Sequence, residues 1–238
     1  MNNDHFHSFF HKTVDAMNSN KDRIDTILSD IITENLLPNK KHKPTSDNLP
    51  PLTKQETKEL EISKIFTDIF STYLCLTNIE VYISRFPYSK TVVSRSDYLQ
   101  YHYNSYLNEI NIIEKRLMKY IKKVQRTYKT YPNIKAITIS LEKDVKSAFK
   151  PIVDIRNNHT HSERFRHDKL SSLRFFETIR DADHLFESQY MRKFREARSE
   201  LKKQIARNNN KLKIVLNHIF KNLDTIVFDK NGNYRPIT

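Results

Sequence analysis

A single glycine, Gly232, in 238 residues constrains this chain more than any other feature. Closed sandwiches, barrels and Rossmann-type folds use glycines at tight turns, bulges and phosphate-binding loops. A chain with almost none is expected to be all-α: long helices joined by short connections and packed as an antiparallel bundle. Its length suffices for a proper core, as one domain with an appendage or as two small domains.

Apolar periodicity places the helices. Phe6, Phe9, Phe10, Val14 and Met17 predict a short amphipathic helix. Ile24, Ile27, Leu28, Ile31 and Ile32 predict a second, starting near Asn20 or Lys21. Residues 1–37 therefore read as an N-terminal helical segment. Pro38, Pro44, Pro50 and Pro51, with Lys40, Lys41 and Lys43, make residues 38–52 a linker or loop. The bundle proper is expected over residues 53–225. Thr53 and Glu56 form a capping-box signature, and the helix they open carries Ile62, Ile65, Ile69, Tyr73, Leu76, Ile79 and Ile83 before Pro87. A second long helix starts near Ser94 or Ser96 and holds a near-heptad stripe from Leu99 to Tyr128. A third carries Ile134, Ile137, Leu141, Val145, Ala148, Ile152 and Ile155 on one face, with a kink expected at Pro151. A short element follows around Leu173–Phe176. The last long helix runs from about Phe186 to Leu223, its stripe interrupted by Arg207-Asn208-Asn209-Asn210. In the tail, residues 226–238, the glycine between two asparagines points to a small hairpin.

Lys and Arg number 41 against 28 Asp and Glu, a net charge of +13. That excess draws polyanions, nucleic acid first; a generally basic soluble protein accounts for it equally well. The only cysteine, Cys75, excludes an internal disulfide framework and suits a reducing compartment. Among Tyr73, Leu74 and Leu76 it is expected to be a buried, inert thiol. No apolar run approaches a membrane span, and residues 1–20 lack the pattern of a signal peptide. A cytoplasmic protein is the expectation.

One polar cluster stands apart from the solvated helix faces. The apolar run Ile152-Val153-Asp154-Ile155 leads directly into Arg156-Asn157-Asn158-His159-Thr160-His161. Arg156 and His161 enclose four residues, with Asn157 beside the arginine. Continuing the stripe two turns beyond Ile152 lands on His159, whereas Asn157 and His161 share a face nearly opposite the core. Arg156 lies some way round from His161. The three converge only where the helix ends or where a second subunit contributes.

This segment resembles the signature of the HEPN superfamily, an arginine followed by a polar residue and then a histidine at the end of a bundle helix. By architecture the likeness covers about residues 53–223; by motif, six residues. It implies an endoribonuclease that cuts RNA without metal or other cofactor, through attack by the ribose 2′-hydroxyl. It further implies that His161 is the general acid or base, that Arg156 holds the scissile phosphate and that Asn157 orients one of them. A homodimer with a composite active site, in a toxin or antiviral-defence effector with an antitoxin or defence partner protein, goes with the family. In one subgroup the motif continues as His-x-Tyr and the tyrosine is modified by the antitoxin; here Ser162 and Glu163 follow His161, so that form of neutralisation does not carry over. The same residues also fit a plainer account, a basic helix terminus in a catalytically inactive RNA- or protein-binding module.

Other signals are weaker. His159 is a support residue or simply packed. Arg164, Arg166, Lys169 and Arg174 follow the motif closely and could be an RNA-backbone track or a solvated face. His7 and His11 have helical spacing but no companion ligand, so no metal site is expected there.

Overall fold

In a computed structural model, residues 4–18, 51–85, 93–161, 168–182 and 184–237 are described. Among them the fold is all-α. Six helices follow one another: α1 (His5–Asn18), α2 (Lys54–Ser84), α3 (Arg95–Thr127), α4 (Ile134–His161), α5 (Asp168–Ala182) and α6 (Glu187–Val227), with a 3-10 turn at His184–Phe186 leading into α6. The second N-terminal helix and most of the linker read from the sequence lie outside the described residues.

Local chemistry sets the helix starts. Thr53 Oγ1 accepts from the Glu56 backbone N–H at 3.1 Å, and Glu56 Oε2 accepts from the Thr53 N–H at 2.7 Å. The capping box at α2 is therefore complete, with two otherwise orphaned donors satisfied reciprocally. Ser94, not Ser96, caps α3, accepting from the Asp97 N–H at 3.1 Å. Between α3 and α4 the chain reverses over residues 128–133, where Asn133 takes a left-handed φ of 57°, a conformation asparagine tolerates better than most residues.

The bundle is built round α3, which packs against α2, α4, α5 and α6. Its stripe from Leu99 through Tyr106, Ile113, Leu117 and Val124 to Tyr128 is buried as the spacing requires. The asparagine run in α6 does not break the helix, which is continuous for 41 residues. Asn209 keeps the inward register. It donates to Glu80 Oε2 at 3.2 Å and to the Leu76 carbonyl at 3.5 Å, and accepts from the Tyr106 hydroxyl at 3.3 Å. The interruption is thus a polar contact between helices.

Both chain ends close one part of the core. Phe6 and Phe9 of α1 are 0% and 1% exposed, and Phe9 meets Phe66, Phe220 and Phe228 with ring centroids 4.9–5.0 Å apart. Polar ties surround them. The Phe6 N–H donates to Asn217 Oδ1 at 2.9 Å, and Lys12 Nζ meets Asp224 at 2.7 Å. Burial pulls the Asp4 carboxyl up, but hydrogen bonds from Lys213 and His7 outweigh it and hold the group at about 2. At the other end, Phe228 and Tyr234 form one isolated antiparallel bridge. Gly232 takes φ 84° in the intervening turn, and the Tyr234 hydroxyl lies 2.6 Å from Ser63 Oγ.

Three expectations are corrected. Cys75 is exposed: Tyr73 and Leu76 hold the inward positions of α2, so Leu74 and Cys75 fall outside. The element at Leu173–Phe176 is part of a 15-residue helix. On α4, Phe149 and not Ala148 is buried, because the stripe advances by four from Val145 to reach a larger side chain.

Phe9→Ala is expected to cost roughly 3–5 kcal/mol, as for other buried aromatic truncations. A urea midpoint shifted at unchanged slope is the reading to look for.

Candidate functional site

The Arg156–His161 segment forms the C-terminal turns of α4, which remains helical through His161. Pro151 lies inside this helix; it lacks the N–H that would bond the Ser147 carbonyl, yet ten further helical residues follow it. The inward register is marked by Thr138, Leu141, Val145 and Phe149, all buried, and by half-buried Ile152. Seven residues beyond Phe149 is Arg156, and seven beyond Ile152 is His159, so both positions continue that register. His161 stands ~140° round from Arg156 and ~7.5 Å farther along the axis of a regular helix. Asn157 shares the side of His161. The side chains of residues 156–161 lie outside the described groups, as do Arg164 and Arg166 entirely.

Two of the four cations expected to track RNA are described. Lys169 is exposed in the first turn of α5. Arg174 is exposed and forms an ion pair with Asp97 of α3, so its charge is already partly answered.

The helix that follows the motif is anchored by a buried carboxylate. Glu177 of α5 is 7% exposed. It accepts from the Arg95 backbone N–H at 3.2 Å, from the Ser96 hydroxyl and from the Tyr190 hydroxyl at 2.7 Å. A carboxylate against the first N–H groups of α3 is favoured by both hydrogen bonding and the helix dipole. Burial, then the Glu177 carboxylate, pushes the Tyr190 phenol well up. The Arg180 guanidinium lies 4.3 Å from the centre of the Tyr190 ring. These contacts join α5 to the start of α3 and to α6.

Just before Arg156, a cleft of about 280 Å³ opens between α3, α4 and α6, lined by Ile110, Phe149, Ile152, Lys211, Leu212 and Val215 among others. Ile214, also in its lining, is 69% exposed. The wall of the cleft is apolar, with exposed Ile214 at its rim.

A second feature escaped the sequence reading. Between Lys115 and Arg126, six of twelve residues are cations and none is acidic. Lys115, Lys119, Lys122 and Arg126 recur at helical spacing and are exposed; counting charge along the helix period, not only apolar residues, would have found them. With Met118, Lys123 and Ile65 of α2 they line a groove of about 460 Å³.

No family model, curated protein or solved structure matches the chain. Among the described residues no helix is long and apolar enough to cross a membrane.

Glu177→Ala is expected to leave the Tyr190 hydroxyl and the Arg95 N–H without this acceptor, while the Ser96 hydroxyl keeps Ser94 Oγ at 3.1 Å. At ~1–3 kcal/mol for each buried group left unpaired, a loss of at least about 2 kcal/mol should follow. Hydrogen exchange localised to α5 and the first turn of α3 is the measurement that checks it.

Proposed function

We propose that the chain is a metal-independent endoribonuclease of HEPN type, acting as a homodimer in the cytoplasm as a toxin or antiviral-defence effector. The observation that carries this reading is the Arg156–His161 motif in the last turns of a bundle helix, directly after the apolar run Ile152–Ile155. In that role an imidazole at His161 takes the proton of a ribose 2′-hydroxyl. The freed oxygen attacks the adjacent phosphorus, a cyclic phosphate forms, the 5′-oxygen of the next nucleotide leaves and a proton is delivered to it. The guanidinium of Arg156 offsets the charge that grows on the phosphate oxygens. Asn157, on the side of His161, orients the base or a phosphate oxygen.

Helical continuity through His161 bears on the oligomer. Positions ~140° apart on one regular helix do not face a common point. Arg156 and His161 meet where the helix ends or where a second copy contributes, and α4 is helical through His161. The proposal takes the second copy, for which the apolar cleft at Ile152 and Ile214 supplies surface close to the motif. The net charge of +13 suits a polyanionic substrate.

The plainer reading, a catalytically silent RNA- or protein-binding bundle, needs no convergence of Arg156 and His161, whose positions on one continuous helix stand ~140° apart. Purified protein with a labelled RNA pool in EDTA separates the two. Cleavage to cyclic-phosphate ends is expected, falling by roughly 10²- to 10⁴-fold in Arg156→Ala and His161→Ala at unchanged thermal midpoint. Binding without cleavage in the unmodified protein identifies the silent module.

A further inference from the structure

The outer face of α3 carries two features that helical register brings into one line. At its C-terminal half is the groove of Lys115, Lys119, Lys122, Lys123 and Arg126. Lys123 is paired with Glu61 of α2, but no carboxylate pairs with Lys115, Lys119, Lys122 or Arg126 among the described residues. At its N-terminal half is an aromatic shelf. His102 lies 4.4 Å from Tyr98, 5.3 Å from Tyr101 and 5.5 Å from Tyr82 of α2, between ring centroids. Tyr101 is 68% exposed and Tyr82 49% exposed.

Tyr101 and Lys119 are eighteen residues apart, which is five whole turns. They therefore share one azimuth, ~27 Å apart along the helix. Tyr98 and Arg116 stand in the same relation. On the turns between them only Glu109 and Glu114 are acidic. Burial pushes the Glu114 carboxyl up, and the nearby charges of Lys115 and Lys146 draw against that push.

We infer that this face of α3 is a binding track for single-stranded nucleic acid, separate from the Arg156–His161 segment. Unpaired cations in a groove with an apolar floor follow a phosphate backbone, while exposed rings accept unstacked bases. The combination distinguishes this occupant from an acidic peptide, which has no use for the shelf, and from a duplex, whose bases are already stacked. The cations of α3 carry the backbone and Tyr101 and Tyr82 carry the bases. The track holds whether or not the chain cuts RNA.

The test uses the full chain and a fluorescent single-stranded RNA methylated at every 2′-oxygen, which removes the nucleophile that cleavage needs. The triple variant Lys115→Glu, Lys119→Glu, Lys122→Glu is compared with a charge-matched control on α4, Lys135→Glu, Lys143→Glu, Lys150→Glu. All six lysines are exposed, and thermal midpoints verify folding. The α3 triple is expected to weaken binding at least tenfold and to lower the slope of log K against log salt by about 2, at ~0.7 for each phosphate no longer neutralised. The control changes binding several-fold less, and Tyr101→Ala reduces the preference for single strand over duplex. Unchanged affinity in the α3 triple overturns the assignment. So does equal weakening by both triples, which marks bulk charge, or equal affinity for a duplex in the unmodified protein.

Discussion

Burial of α3 is the constraint on which the other elements depend. It is the helix that meets α2, α4, α5 and α6 alike, and its inward stripe contains three large phenols, at Tyr103, Tyr106 and Tyr120, that are almost wholly removed from water. A buried phenol needs a partner or bears a desolvation cost. Tyr106 finds one in Asn209 and Tyr103 in Gln204 at 3.2 Å. Because α6 supplies both partners, these contacts set how α6 slides along α3, while the hydrophobic stripe alone leaves neighbouring registers closer in energy. The aromatic cluster of α1 then closes the other end, fixing Phe6 and Phe9 among residues from α2, α3 and α6.

The motif-bearing helix is positioned from this frame. α4 lies along α3, its tight reversal at Asn133 placing it antiparallel, so the C-terminal turns of α4 come level with the N-terminal half of α3. There Glu177 ties α5 to the first turn of α3. The chain leaves the motif at His161 and re-enters a helix at Asp168, with both flanking helices packed on the same rod. Rigid flanks on a shared scaffold are what a site built from helix ends requires if its groups are to be held in place. The cations of α3 stand on the outer side of that rod, away from its buried stripe.

Most of the fold was legible from residue spacing, since the core of a bundle is written at three-and-four intervals. The capping box at Thr53 was legible because its two side chains sit at a spacing with a unique local meaning. Cys75 was misjudged because apolar neighbours in sequence are not neighbours on a helix; its phase relative to Tyr73 and Leu76 held the answer. Asn209 looked like an interruption because a polar residue at an inward position is explained only by partners 103 and 129 residues away. The seating of α1 was likewise open, since an amphipathic segment does not announce which face covers it. For the candidate site, the motif was visible as a pattern. Arg174 carries no signal that Asp97 pairs with it, since the two are 77 residues apart. The α3 cation row was present in the sequence but obscured by the apolar stripe on the opposite face of the same helix.

The proposed composite site takes its arginine from one copy of the chain and its histidine from another, since one regular helix sets the two positions ~140° apart. Mixing inactive Arg156→Ala and His161→Ala proteins under conditions that exchange subunits tests this directly. With a site that takes its arginine from one copy and its histidine from the other, half the dimers are mixed and each mixed dimer keeps one intact site. Cleavage should then return to about a quarter of the unmodified level, as two-fold symmetry requires. Activity that stays at the level of the separate variants, with exchange verified by differently labelled subunits, would contradict a composite site.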